Sequence, residues 1–118
     1  ADFIPEQTVY GDEDAELLVV SWGGTLGTVR TAVQELQKQG HKVAHTHFRY
    51  IMPLPKNTET ILKKYKKIVV AELNSGQFVN YLRMKFPQYP MHQCNKVQGL
   101  PFFVSDLLPT FTKILKEK

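Results

Sequence analysis

Few places in this sequence could start chemistry. The stretch SWGGTLG sets Gly23, Gly24 and Gly27 between an apolar run and a helical one, where nucleotide-binding folds offer backbone N–H groups to phosphate. A dinucleotide fingerprint needs G-x-G-x-x-G, with a carboxylate closing the next strand to hold a ribose. The register here is G-G-x-x-G, and the next strand closes on His47, Phe48 and Arg49. No lysine follows the glycines, which excludes a phosphate loop. The turn therefore reads as a tight strand-to-helix joint. His45 and His47 stand two apart on a strand, share one face and could ligate a metal, but no third ligand lies nearby. They read as half-buried, hydrogen-bonded histidines. Cys94 follows His92 at the same spacing, which does not make a thiol–imidazole dyad, and burial is its expected state. SWGG does not supply the G-x-S-x-G of a nucleophile elbow. The residues alone predict no catalytic centre and no metal site.

Alternating strands and helices must position these residues. TVY (8–10) predicts a short strand, and GDEDAE a solvated acidic turn without the spacing of a calcium loop. LLVVSWG and KIVVAEL are near-continuous apolar runs, the mark of parallel strands covered on both faces. KVAHTHF is a further strand, and the more polar MHQCNKV an edge strand. Leu26, Val29, Val33 and Leu36 recur at helical spacing, with Thr25 as N-cap and Gly40 as the stop. RYIMPLPKN is a proline-stiffened connection, after which Asn57 or Thr58 caps a short helix to about Tyr65. NSGQFVNYLRMKF turns into a helix that Pro87 ends. Ser105 caps a last helix whose apolar side is Leu107, Leu108, Phe111, Ile114 and Leu115, with Pro109 in or near its first turn. The pattern predicts one α/β domain over residues 1–118, a mainly parallel sheet with helices on both faces.

A chain of 118 residues can bury a core without disulfide or metal staples, and the lone Cys94 could form neither a disulfide nor an iron–sulfur cluster. No apolar run approaches the roughly 20 residues of a membrane span, and no signal-peptide pattern opens the chain. The expectation is a cytoplasmic protein with no membrane partner. The net charge of +4 is a weak pointer to nucleic acid, because its densest cluster, KKYKK, falls at a predicted helix C-terminus where cations complement the dipole. RRM, KH and zinc-finger signatures are absent, so no nucleic-acid partner is expected. The chain opens on ADFIPEQTVY without an initiator methionine and reads as a piece of a longer polypeptide.

One region does gather polar groups. In an open parallel sheet, crevices form at the carboxyl edge of the strands, where the connections reverse direction. If the two apolar strands are central neighbours, their following loops bring Ser21, Gly23, Gly24 and Thr25 against Glu72, Asn74, Ser75, Gly76 and Gln77. The loop after the edge strand adds Asn95, Lys96, Gln98 and Gly99. This rim is the candidate contact surface, open to a subunit, a small ligand or loop hydrogen bonding. The runner-up reading is a stand-alone nucleotide or small-anion binding module using the turn from Gly23 to Gly27.

These residues also carry a resemblance. VYGDEDAELLVVSWGGTLGTVRTAVQEL, HFRYIMPLPKNTETIL, VVAELNSGQF and NKVQGLPF, in this order, resemble the C-terminal part of the α subunit of 2-oxoacid:ferredoxin oxidoreductases, the 2-oxoglutarate type most closely. The resemblance covers nearly the whole chain. Its departures, Gly24 and Leu26 in SWGGTLG, Leu100 in NKVQGLPF and the stretch YPMHQ, bear on the particular 2-oxoacid rather than on the family. It implies a three-layer α/β/α fold similar to the transketolase C-terminal domain. The implied sheet is five-stranded and mostly parallel, of order 1-3-2-4-5, with TVY as an antiparallel first strand. It implies a whole enzyme that oxidatively decarboxylates a 2-oxoacid with coenzyme A and passes electrons to ferredoxin. Thiamine diphosphate, magnesium and iron–sulfur clusters would be held by other domains or subunits. For this chain it implies a non-catalytic assembly domain that binds no cofactor alone. Such a domain packs on the preceding domain of its own subunit and supports contacts with the β subunit and with α subunit copies.

Overall fold

The computed structural model describes residues 6–49, 54–73, 77–96 and 103–117. Leu17, Leu18, Val19 and Val20 open strand β1 (Leu17–Trp22), and all four are fully buried because alternate side chains enter opposite layers. Strand β2 (Val43–Phe48) pairs parallel on one side of β1, and β3 (Lys67–Leu73) on the other. Strand β4 (His92–Lys96) pairs parallel beyond β3, giving the order β2-β1-β3-β4. The two apolar runs are therefore central neighbours and the polar one lies at the edge, as their composition predicts. Leu17 stands opposite Val43 and Lys67, and Ser21 opposite His47 and Ala71.

Helices cover both faces. On one, Leu17, Val19, Val43 and Val69 meet Val29, Val33 and Leu36 of α1 (Leu26–Lys38) and Leu107 and Phe111 of α4 (Val104–Lys116). On the other, Leu18, Val20, Phe48 and Val70 meet Ile61 and Leu62 of α2 (Thr58–Leu62) and Phe78 and Leu82 of α3 (Gln77–Lys85). The architecture is three-layered α/β/α with a parallel sheet.

The sheet has four strands among the described residues rather than the expected five. The TVY segment reaches β2 only through one antiparallel bridge, Tyr10 to His45, with the two N–H···O bonds exchanged at 2.8 Å each. Beside it, the Thr8 carbonyl accepts the Thr46 hydroxyl at 2.7 Å, and Gln7 bonds to the Thr46 hydroxyl and the His47 carbonyl through its side chain. Side-chain bonds take the place of further ladder rungs. Gly11 then turns the chain with φ +108, where an added Cβ would stand 2.7 Å from the Val43 carbonyl oxygen.

Helix ends account for the other corrections. Thr25 precedes α1, but after a 3-10 turn (Gly23–Thr25), and its hydroxyl donates back to the Trp22 carbonyl at 3.1 Å instead of capping the helix. Asn57 precedes α2, yet its side chain holds the Gln7 backbone at both N–H and carbonyl, 2.7 and 2.8 Å away. Helix α2 stops at Leu62 rather than near Tyr65, so KKYKK begins at its C-cap and runs into β3. Helix α4 starts at Val104, preceded by Phe103 rather than capped by Ser105, and the Asp106 carboxylate accepts the Phe103 N–H at 2.9 Å. Pro109 consequently falls in the second turn, where the Ser105 carbonyl loses its helical donor. The end of α1 follows expectation: Gly40 N–H bonds the Gln37 carbonyl and His41 N–H the Leu36 carbonyl, a Schellman pair.

Candidate functional site

The carboxyl ends of the strands line up. Glu72 pairs with Asn95, Leu73 with Lys96, and the 3-10 turn leaves β1 at the same edge and packs against β3. Within that turn Gly23 takes φ +73, a left-handed conformation that suits glycine, and Thr25 is buried. Gln77 opens α3, and Asn95 and Lys96 close β4; these three are placed by backbone alone. Asn74, Ser75, Gly76, Gln98 and Gly99 lie outside the described residues. Glu72, the carboxylate of the rim, faces inward. Glu72 is 1% exposed and accepts the N–H groups of Phe78 at 3.0 Å and Val79 at 2.8 Å. These donors belong to the first turn of α3, where no helical carbonyl reaches them and a negative charge complements the dipole. Glu72 thereby ties β3 to α3.

The two histidines form a larger assembly than their spacing predicts. His45 is fully buried, His47 half-buried, and both reach the hydroxyl of Ser21, at 2.7 Å from His45 Nε2 and 2.8 Å from His47 Nδ1. Arg30 on α1 donates its Nε–H to His45 Nδ1 at 2.9 Å. Arginine can only donate, so His45 Nδ1 is the acceptor and the ring proton sits on Nε2. His45 then donates to Ser21, and Ser21 donates to His47 Nδ1. The polarity of the chain, Arg30 to His45 to Ser21 to His47, is fixed at one end. Burial first, then Arg30 and His47, brings His45 from 6.5 down to about 3. Burial, Arg49 and Arg30 also lower His47, against a hydrogen bond to the Gly23 backbone that raises it. Both rings are therefore neutral donors and acceptors near neutral pH. Ser21 is buried with its proton and a lone pair both engaged, which suits it to joining strands rather than attacking a substrate.

Beside this network lies an open cleft of about 870 Å³, bounded by residues 6–10, the start of α1 and the end of β2. Arg30, His47 and Arg49 line it, and the Arg30 guanidinium lies 4.1 Å over the Tyr10 ring. Neither Ser21 nor Arg30 is recognised as a partner of the histidines by sequence spacing. The legible signal was the shared face of His45 and His47; the register that sets Ser21 opposite His47 is a property of strand pairing.

Elsewhere Cys94 is buried, and burial pushes its thiol up while Thr110 hydrogen-bonds it. His92 stands 3.4 Å from Glu117. Among the described residues no three His, Cys, Asp or Glu side chains gather closely enough to hold a metal. With a single cysteine in the chain, these residues do not supply the ligand set of an iron–sulfur cluster.

Architecture and site together define a three-layer α/β domain in which Ser21, His45 and Glu72 are engaged inward. Residues 15–106 match the pyruvate:ferredoxin oxidoreductase core domain II, and the chain belongs to that family. It is 38% identical over 94 residues to the 2-oxoglutarate oxidoreductase subunit KorA of Mycobacterium tuberculosis, covering 80% of this chain and 14% of that protein. A solved 2-oxoglutarate:ferredoxin oxidoreductase from Magnetococcus marinus, with 2-oxoglutarate, coenzyme A and succinyl-CoA bound, is similar at TM-score 0.81 and 26% identity. That likeness covers 98% of this chain and 20% of the other. A transketolase from Campylobacter jejuni shares the fold at TM-score 0.58 and 16% identity, over 89% of this chain and 18% of that one. The chain thus spans between 14% and 20% of the length of these relatives. Among the described residues no helix is long and apolar enough to cross a membrane.

Proposed function

We propose that this chain is one domain, residues 1–118, of a longer α subunit, and that it serves assembly of a thiamine-diphosphate-dependent 2-oxoacid:ferredoxin oxidoreductase. The whole enzyme would act in the cytoplasm, converting a 2-oxoacid to acyl-CoA with reduction of ferredoxin. Thiamine diphosphate, magnesium, iron–sulfur clusters and coenzyme A would be bound outside this domain. The observation that carries the reading is the family match over residues 15–106. Support comes from the chain's small share of its relatives and from the inward engagement of Glu72, Ser21 and His45, as befits a scaffold. The rest of the rim, from Gly23, Gly24 and Thr25 across to Gln77, Asn95 and Lys96, would meet the preceding domain, the β subunit or another α copy. In that setting the segment ending at Tyr10 would extend its bridge into the fifth, antiparallel strand of the order 1-3-2-4-5.

The test is deletion of this domain from the full α subunit, co-expressed with its β subunit. Loss of the assembled complex, and of ferredoxin reduction driven by 2-oxoglutarate or another 2-oxoacid, is expected. The isolated 118-residue chain should decarboxylate no 2-oxoacid when thiamine diphosphate and magnesium are supplied. A deleted subunit that still assembles and turns over at the full rate overturns the assignment.

A further inference from the structure

The cleft beside β2 plays no part in the assembly reading, and its chemistry points elsewhere. Arg30 is held on two sides: its Nε–H is fixed on His45 at 2.9 Å, and its guanidinium plane rests over the Tyr10 ring at 4.1 Å. The terminal N–H groups of Arg30 have no hydrogen-bond partner among the described residues, and the side chain lines the cleft. A guanidinium oriented this way is ready for two parallel bonds to one acceptor group. Arg49 lines the same cleft, and after burial both arginines disfavour a proton on His47. Glu6 is the acidic residue of the lining, so the positive charges outnumber it.

We propose that this cleft binds an oxyanion, a carboxylate or phosphate group of a small molecule, through the terminal N–H groups of Arg30, with Arg49 supplying a second positive charge. The wired histidines hold the guanidinium in place. With Nδ1 accepting from Ser21 and its ring N–H turned to the Gly23 backbone, neutral His47 has both nitrogens engaged and leaves anion recognition to the arginines. Carboxylate and phosphate offer arginine the same pair of acceptor oxygens, so the ligand's source is a matter for experiment.

The measurement is an NMR titration of the isotopically labelled chain with inorganic phosphate and, separately, with succinate, ionic strength being held constant with chloride. Saturable shifts are expected at the Arg30 Nε–H and at the amides of Tyr10, Gly27 and Thr31, and the anion that saturates first identifies the source. Arg49→Gln should weaken binding about tenfold, the scale of one charge-assisted contact, and Arg30→Lys should weaken it further because the planar fork is gone. Glu6→Gln should tighten it. Arg49 and Glu6 are exposed, so these two variants keep the test decisive if Arg30→Lys fails to fold. Shifts that stay linear to about 50 mM in both anions would sink the proposal. So would saturation centred on the exposed Lys63, Lys64 and Lys66, or variants that bind like the parent chain.

Discussion

A serine hydroxyl has one proton to give, and at position 21 that proton goes to His47 because His45 already holds its own. Removing the hydroxyl leaves a buried His45 N–H without an acceptor. Ser21→Ala should therefore cost about 1–3 kcal/mol in urea denaturation, well beyond what the loss of one exposed hydroxyl would do. The pH response follows from the same geometry. In the unfolded chain His45 takes its proton near 6.5, in the folded one only near about 3, so across that interval the unfolded state binds more protons. Stability from neutral His45 is complete above 6.5 and is lost as the pH falls through the interval, and the lowered His47 adds in the same sense. Carboxylates titrate there too, so the readout is a difference. His45→Gln preserves an acceptor for Arg30 and a donor for Ser21, and its stability should fall less steeply than the parent's between about pH 7 and pH 4. Parallel profiles would contradict it. The shared histidine face was legible from an i, i+2 spacing on a strand. The serine and arginine were not, because their meeting depends on register and on which face of α1 turns inward.

Which strands lie at the centre and which at the edge was the most legible feature, for a plain reason. A strand covered on both faces has no polar side to show, so LLVV and KIVV declare themselves central, and HQCNK declares itself an edge. Helix ends were the least legible. Thr25, Asn57 and Ser105 all have capping side chains, but two of them found closer acceptors or donors in neighbouring segments, and the third sits inside its helix. The working anchor of a helix start is instead Glu72, a residue from the preceding strand. Glu72→Ala strips acceptors from two buried N–H groups and should cost on the order of 3 kcal/mol. Amide exchange should locate the damage, with protection lost first at Phe78 and Val79 and retained along α1. The N-terminal segment depends in turn on Gly11. An alanine there meets both a positive φ and the Val43 carbonyl, so Gly11→Ala should cost about 1–3 kcal/mol and expose the bridged amides of Tyr10 and His45 to exchange. Unchanged protection at those two amides would show that the bridge does not need the turn.

The two cores share only the sheet. Leu17 and Val19 belong to the layer under α1 and α4, Leu18 and Val20 to the layer under α2 and α3, so β1 itself carries alternate residues of both. A chain built this way has no seam along which one layer could unfold while the other persists, because losing either exposes one face of the central strands. Trp22, the sole tryptophan, makes this testable, since its ring packs 5.7 Å from Phe78 and reports on the α3 side. Ile114→Val on α4 and Ile61→Val on α2 each remove one buried methylene from opposite layers and should cost about 0.5–1.5 kcal/mol. Ile114→Val should move the Trp22 fluorescence midpoint as far as the circular dichroism midpoint, although it lies across the sheet from the reporter. The double variant should equal the sum of the singles to within about 0.5 kcal/mol, as residues without shared partners do. If Trp22 ignores a defect under α4 that circular dichroism records, the layers unfold separately, and the sheet is a surface on which two cores rest rather than the element that joins them.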